Sequence, residues 1–220
     1  DFTNSPEILG GRVKTLHPKI HGGILAKRTD EKHKEEIEAY NLELIDLVVV
    51  NLYPFKKTIA QGSKWEEAIE NIDIGGPSMI RSAAKNHKDV SILVDPIQYT
   101  DFIKKNREGN LNEDYRAKLA FIAFQHTADY DTAITNWIKN EKDLVPSKYI
   151  QSYPLIRNLR YGENPHQKAV WYGLRNIGWN SAEQLQGKEL SYNNLLDLES
   201  ALSTVLEFGY GEDENKNEKY

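Results

Sequence analysis

Cysteine is absent from the 220-residue sequence, which excludes a disulfide framework. Long apolar runs are missing as well, so no segment predicts a membrane span, and no amino-terminal stretch has the pattern of a signal peptide. These absences fit a reducing, cytoplasmic compartment. The net charge of −5 argues against a general surface for nucleic acid or anionic membranes. Any local basic cluster is therefore expected to serve one small anionic ligand.

The length of the chain predicts one domain and part of a second. A polar, proline-flanked passage at 145–154 predicts the boundary, which divides the chain into domains at 1–146 and 147–220. The first residue, Asp1, lies in what reads as a loop, without an initiator methionine. We therefore expect a fragment whose true beginning is missing. The charged end, 211–219, is predicted to be disordered.

The segment 72–87 predicts a loop that feeds a helix. Asp73 precedes Gly75 and Gly76, whose free backbone allows a ligand to approach the main chain closely. A helix N-terminus offers unpaired N–H groups and a positive dipole end. The pattern predicts a site for a phosphate, another oxyanion or a polarised carbonyl. Taken alone, it is also typical of an ordinary surface turn.

A basic segment follows two glycines near the amino end. Arg12, Lys14 and Lys19, with the Thr15 hydroxyl, form a cation cluster that suits a phosphate; a solvated basic loop is the alternative. His17 and His21 have the spacing of two metal ligands on one helical face. Pro18 separates them and no third ligand follows, so we expect no metal.

The remaining pattern predicts an α/β fold, a parallel sheet covered by helices. The stretch 44–55 has a continuous β-branched run that reads as a strand buried on both faces and ended by Pro54, and a second strand is predicted at 90–94. Helices are predicted at 31–40, from a capping box at 63–66, from 78 to 85, and from Asn112 to about 140 with a bend near 129–131. Ligands gather beyond the carboxyl ends of such strands, which places Asn51 and Tyr53 at a site. Tyr53 reads equally as a residue at the edge of the core.

The second part of the chain contains two further candidate segments. Residues 159–167 combine a cation, an aromatic ring and hydrogen-bonding side chains, which suits a planar heterocycle that carries a charge; a structural turn is the equal alternative. Residues 187–194 resemble a second ligand-lining loop before a helix predicted at 195–207.

Four motifs in fixed order resemble the bifunctional family that joins inosine monophosphate cyclohydrolase to 5-aminoimidazole-4-carboxamide ribonucleotide transformylase. They are residues 11–18 (GRVKTLHP), 51–55 (NLYPF), 73–76 (DIGG) with 83–87 (AAKNH), and 160–167 (RYGENPHQ). The resemblance implies a methylglyoxal-synthase-like domain followed by the start of an α/β transformylase domain. It also implies a homodimer in purine biosynthesis that closes the ring of a formylated nucleotide without metal or organic cofactor. The transformylase half would use 10-formyltetrahydrofolate as its co-substrate.

The resemblance also implies roles for particular residues. Lys85 matches a lysine assigned to proton transfer, and Lys14, Tyr53 and Asp73 match its catalytic neighbours. The matched nucleotide-binding positions are Arg12, Val13, Lys14, Thr15, Val50, Asn51, Asp73, Ile74 and Gly75 for the cyclohydrolase, and Arg160, Tyr161 and Asn194 for the transformylase.

We expect one pocket at the carboxyl edge of the sheet to gather Arg12, Lys14, Asn51, Tyr53 and Asp73, together with Lys85. A continuous helix would place Lys85 roughly 10 to 15 Å from Asp73, so whether both act on one atom stays open. The alternative function is a non-catalytic, nucleotide-binding regulatory module of the same fold.

Overall fold

The computed structural model describes residues 2, 3, 5–174 and 176–208. The chain forms two compact units, Asp1–Ile150 and Gln151–Tyr220. The division in the sequence comes four residues after the expected one. The domain limits of 1–146 and 147–220 stay a prediction. The predicted disorder at 211–219 lies outside the described residues.

The first unit alternates helices with two short strands. Its elements are α1 (Pro18–Leu25), α2 (Glu31–Ala39), β1 (Leu47–Val49), α3 (Phe55–Ala60), α4 (Trp65–Glu70), α5 (Gly75–Lys85), β2 (Ser91–Leu93), α6 (Tyr99–Arg107) and α7 (Glu113–Glu141). No helix among the described residues is long and apolar enough to cross a membrane.

β1 and β2 pair in parallel, with Val48 opposite Ile92. Three helices, α3 to α5, form the crossover between them, as a parallel pair requires. This arrangement confirms the predicted parallel sheet with covering helices. All three residues of β2 are buried, so both faces of that strand are covered.

β1 differs from the prediction of a strand buried on both faces. Val48 is buried, whereas Leu47 and Val49 are 39% and 47% exposed. The apolar run therefore packs on the core through one face only. Its continuous hydrophobicity does not distinguish a strand covered on one side from one covered on both.

α5 and α7 form the body of the first unit. Ile80, Ala83 and Ala84 of α5 are fully buried in the main core together with Ile92 and Ala123. α7 runs without interruption through 129–131, so the predicted bend is wrong. Tyr130, in the middle of that stretch, is buried in a second cluster with Phe55 and Trp137. Tertiary packing thus outweighs the low helix propensity of the local sequence.

The helix termini show which local signals hold. Asn112 caps α7 by accepting a hydrogen bond from the Tyr115 amide at 2.9 Å, at the predicted start of the helix. The predicted capping box at 63–66 is wrong, because α4 begins at Trp65 and the Ser63 hydroxyl donates to the Thr58 carbonyl. The existence of that helix is nevertheless confirmed.

The second unit contains β3 (Leu155–Leu159), β4 (Ala169–Tyr172) and α8 (Tyr192–Phe208). β3 and β4 pair antiparallel. Residues 160–168 connect them without regular structure. The predicted turn at 159–167 therefore agrees with the structure except at residue 159, which belongs to β3. α8 begins earlier than the predicted residue 195.

Candidate functional site

A cleft of about 530 Å³ lies at the N-terminus of α5 in the first unit. Three segments line it: the basic segment, the end of the β1 region, and the loop that leads into α5. Eight of the predicted residues meet there: Arg12, Lys14, Thr15, Val50, Tyr53, Asp73, Ile74 and Gly75.

The two glycines allow a close approach of three segments, and both belong to the first turn of α5 rather than to the loop before it. A Cβ at Gly75 would lie 2.4 Å from the Thr15 hydroxyl. A Cβ at Gly76 would lie 2.5 Å from the Asp73 carboxylate and 2.7 Å from the Leu52 side chain. Since real Cβ atoms do not approach other atoms so closely, any larger residue at either position would require these neighbouring side chains to move.

Asp73 is fixed by hydrogen bonds on both sides. Its carboxylate Oδ1 accepts from the Gly76 amide at 2.8 Å. Its own amide donates to the Tyr130 hydroxyl at 2.9 Å. The carboxylate thereby caps α5 and stands beside the cleft in a set orientation.

Two amides at this helix start stay available for a ligand. The Gly76 amide bonds to Asp73, Pro77 has no N–H, and the Ser78 amide donates to the Ile74 carbonyl. Among the described residues, no acceptor meets the amides of Ile74 and Gly75. Both residues line the cleft, where their donors and the positive helix end favour an oxyanion.

The two cations of the cleft each hold a carboxylate. Arg12 forms a two-point ion pair with Glu70, through Nε at 3.2 Å and Nη2 at 2.5 Å. Lys14 Nζ lies 2.5 Å from Glu7. The hydrogen bond to Glu7 raises the pKa of Lys14, and the hydrogen bond to Arg12 lowers the pKa of Glu70. Lys14 is therefore a cation at neutral pH, suited to bind an anion rather than to accept a proton.

Tyr53 is 58% exposed, which favours a contact with ligand over the alternative of a core-edge residue. Val13 and Asn51 lie outside the cleft lining. Val13 pairs with Ile8 in an isolated β-bridge, and the Asn51 side chain donates to the Tyr99 hydroxyl at 3.1 Å. The structure therefore does not bring these two predicted residues to the cleft.

Lys85 lies at the opposite end of α5 from Asp73. It lines a different cavity, of about 640 Å³, with Arg81, Phe121 and Phe124. Because α5 is a continuous helix of 11 residues, its two ends are separated by roughly 15 Å. The expectation that a single pocket within one chain gathers Lys85 with Asp73 is not met, and the role of Lys85 in proton transfer stays a prediction.

The two histidines with metal-ligand spacing engage other partners. His17 caps α1 by accepting from the Lys19 amide at 3.1 Å. His21 Nδ1 lies 3.0 Å from the Ser82 hydroxyl. Within the described ranges, no group of three metal-ligating side chains was found.

In the second unit, Arg160 and Asn194 line a cavity of about 560 Å³ together with Lys188 and Leu190. Tyr161 does not line it; the Arg160 guanidinium stacks over the Tyr161 ring at 4.9 Å. Asn194 accepts from the amide and the hydroxyl of Ser191, each at 3.0 Å, which organises the start of α8. The structure thus brings together two of the three residues predicted for this site.

Sequence reasoning missed three residues around the first cleft: Glu7, Glu70 and Tyr130. Glu70 lies 58 residues from Arg12, and Tyr130 lies 57 residues from Asp73. No local sequence pattern predicts contacts between residues that are so far apart in the chain. A buried tyrosine, whose hydroxyl needs partners, was the one available signal.

Comparisons with known proteins agree with this architecture. Residues 83–215 match the family described as AICARFT/IMPCHase bienzyme, and residues 1–78 match the MGS-like domain. The chain belongs to the AICARFT/IMPCHase bienzyme family. This confirms both the family resemblance and the methylglyoxal-synthase-like fold expected from the motifs.

Individual relatives are similar over nearly the whole chain. The bifunctional purine biosynthesis protein PurH of Prochlorococcus marinus subsp. pastoris is 82% identical over 212 residues, 96% of this chain and 41% of that protein. PurH of P. marinus strain MIT 9301 is 79% identical over 221 residues, covering 100% of this chain and 43% of that protein. The chain thus spans about two fifths of the length of these relatives. A crystal structure of ForH is 36% identical with a TM-score of 0.53, covering 61% of this chain and 70% of that one.

Proposed function

We propose that the protein carrying this chain acts in purine biosynthesis and closes the ring of 5-formamidoimidazole-4-carboxamide ribonucleotide to give inosine monophosphate. The observation that carries the proposal is the meeting, in one cleft, of two cations, the Tyr53 phenol, the Asp73 carboxylate and two available amides. The relatives named as bifunctional purine biosynthesis proteins support it.

The cleft matches the charges that this reaction develops. The carboxamide nitrogen attacks the formyl carbon, and the carbonyl oxygen becomes an oxyanion before it leaves as water. One hydrogen of that water comes from the carboxamide nitrogen and one from the formamide nitrogen, so the reaction needs no redox partner. The amides of Ile74 and Gly75 supply donors for the oxyanion, and Asp73 orients the attacking amide.

The nucleotide phosphate suits Arg12 and Lys14, since a guanidinium and an ammonium bind phosphate as a two-point fork and a point charge. In the structure, Arg12 and Lys14 form ion pairs with Glu70 and Glu7, respectively. Phosphate binding then exchanges exposed carboxylate pairs, which contribute little, for contacts with a dianion.

Further features of the proposal concern the complete protein. The cyclohydrolase requires no cofactor, and the transformylase half uses 10-formyltetrahydrofolate, with Arg160, Tyr161 and Asn194 helping to bind its nucleotide. The protein is a cytoplasmic homodimer. Size-exclusion chromatography with light scattering tests the dimer, and a monomeric mass contradicts it.

The test measures conversion of the formylated nucleotide to inosine monophosphate by ultraviolet absorbance in the complete gene product. Lys14→Ala is expected to raise KM at least tenfold, because the phosphate loses a charge-assisted contact. Lys34→Ala is the matched control: Lys34 is also an exposed lysine paired with a glutamate, at 2.7 Å, but lies on α2 away from the cleft. Equal KM values for both variants contradict the placement of the phosphate.

Lys85→Ala tests the predicted proton transfer separately. If Lys85 serves it, turnover is lost while nucleotide binding stays within about twofold. Near-normal turnover refutes that role and leaves the cleft assignment intact. An inactive wild-type protein that still binds the nucleotide favours the regulatory module, the alternative that family membership does not favour.

A further inference from the structure

Tyr130 connects the middle of α7 to the loop that carries Asp73. Its hydroxyl accepts a hydrogen bond from the Asp73 amide at 2.9 Å and donates one to the Asn71 carbonyl at 3.4 Å. One side chain therefore uses both its donor and its acceptor on the segment 71–73, which lies between α4 and α5.

Among the described residues, the Asp73 amide and the Asn71 carbonyl have no hydrogen-bond partner besides the Tyr130 hydroxyl. Asn71 is the C-cap of α4, and α5 begins at Gly75, so neither helix supplies a partner for the Asp73 amide or the Asn71 carbonyl. Without the hydroxyl, the half-buried Asp73 amide would lose its partner or the loop would move to find another. Either outcome shifts the Asp73 carboxylate and the amides of Ile74 and Gly75.

The position of the hydroxyl is itself set by packing. Tyr130 is only 7% exposed, and its ring meets Phe55 edge-on at 6.2 Å. Phe55 in turn meets Trp137 at 5.5 Å, and Trp137 stacks on Trp65 at 4.8 Å. This aromatic cluster joins α7 to α3 and α4, so the ring has little freedom to turn away from the loop.

We propose that Tyr130 is a positioning residue for the cyclisation, acting through Asp73 by holding the segment 71–73 in the conformation that presents the cleft's carboxylate and amides. The inference rests on the proposed function of the cleft. It assigns Tyr130 no contact with the substrate.

The test replaces the hydroxyl while keeping the ring. Tyr130→Phe in the complete gene product is expected to lower kcat about tenfold and to leave KM within about twofold, since the phosphate contacts are untouched. Tyr115→Phe is the matched control, because Tyr115 lies on the same helix and its hydroxyl bonds to Asp101 at 2.8 Å, away from the cleft. Its kcat is expected to match the wild type. Equal kcat for Tyr130→Phe and the wild type overturns the proposal.

Hydrogen exchange provides a readout that does not depend on the variant folding. In the wild-type protein, the Asp73 amide is expected to exchange at least about tenfold more slowly than the amides of Ile74 and Gly75, which lack partners. Equal exchange at the three positions overturns the proposal, whatever the kinetics. An inactive wild type with a protected Asp73 amide refutes the proposed function instead, and still supports the hold of Tyr130 on the loop.

Discussion

Gly76→Ala tests the close packing at the start of α5. The added methyl would lie 2.5 Å from the Asp73 Oδ2 and 2.7 Å from the Leu52 Cδ2. Both contacts are far inside van der Waals distance, so the carboxylate or the leucine must move. Because Asp73 Oδ1 accepts from the Gly76 amide at 2.8 Å, a shift of the carboxylate also weakens the cap of the helix.

The expected magnitude follows from three contributions. Overpacking costs about 1–3 kcal/mol. Loss of the carboxylate cap adds about 1 kcal/mol. Alanine in a helix returns about 0.5–1 kcal/mol relative to glycine. The net destabilisation is about 1–3.5 kcal/mol, which for a unit of this size lowers the thermal midpoint by roughly 2–14 °C.

Gly22→Ala is the control for the effect of alanine itself. Gly22 lies within α1, and its added methyl would lie 3.1 Å from the end of the flexible Leu42 side chain, which can give way. We expect a change within about 0.5 kcal/mol there. Calorimetry and the cyclisation assay on both variants decide the matter: if Gly76→Ala matches Gly22→Ala in thermal midpoint and in kcat, the glycine is not required by packing against Asp73.

Two further predictions concern stability. Asn86→Ala is expected to destabilise the protein by about 2–3 kcal/mol. The buried side-chain amide of Asn86 donates to the carbonyls of Ile24 (2.8 Å) and Ala26 (3.0 Å), which would lose their partner. Chemical denaturation measures the change in the free energy of unfolding, and a change below about 0.5 kcal/mol contradicts the prediction. Burial lowers the pKa of His126, against the opposing effect of Asp129 and Asp95, so its neutral form is favoured in the folded state. The free energy of unfolding is then expected to fall as the pH drops below about 6.5, and less steeply in His126→Gln; parallel profiles would refute this assignment.

Local signals in the sequence were enough to predict most helices. Asn112 has the side chain that an N-cap needs, and it caps α7. The charged segment at 31–40 predicts an exposed helix, and α2 runs from Glu31 to Ala39 with no buried residue. Such signals act within a few residues, so these two depend little on contacts with distant segments.

The errors arise where a distant partner decides the outcome. The stretch around Tyr130 has low helix propensity, yet α7 continues because Tyr130 packs against Phe55, 75 positions away in the sequence. Leu47 and Val49 have the same apolar character as Val48, but only Val48 meets the core. Hydrophobicity alone carries no information about which face a neighbouring element covers.

In the candidate site, too, local motifs predict some features, and contacts that the motifs do not contain decide the others. The motifs around Arg12, Tyr53 and Asp73 predict residues that do line one cleft. The ion pair of Arg12 with Glu70 and the hydrogen bond of Tyr130 to the Asp73 amide join segments that are distant in the sequence, so no local pattern predicts them. The separation of Lys85 from Asp73 follows from helix geometry, because α5 is one continuous helix between them.

The start of α5 also indicates which part of the substrate belongs there. A helix start of this kind normally offers several free amides to an anion, but Asp73 occupies the Gly76 amide and Pro77 contributes none. Two adjacent donors, at Ile74 and Gly75, suit a single oxyanion better than a phosphate, because the three oxygens of a phosphate need more hydrogen-bond donors. The cations Arg12 and Lys14, on a different segment of the cleft, satisfy the phosphate instead. On the proposed function, the reacting carbonyl therefore lies toward α5 and the phosphate toward the basic segment.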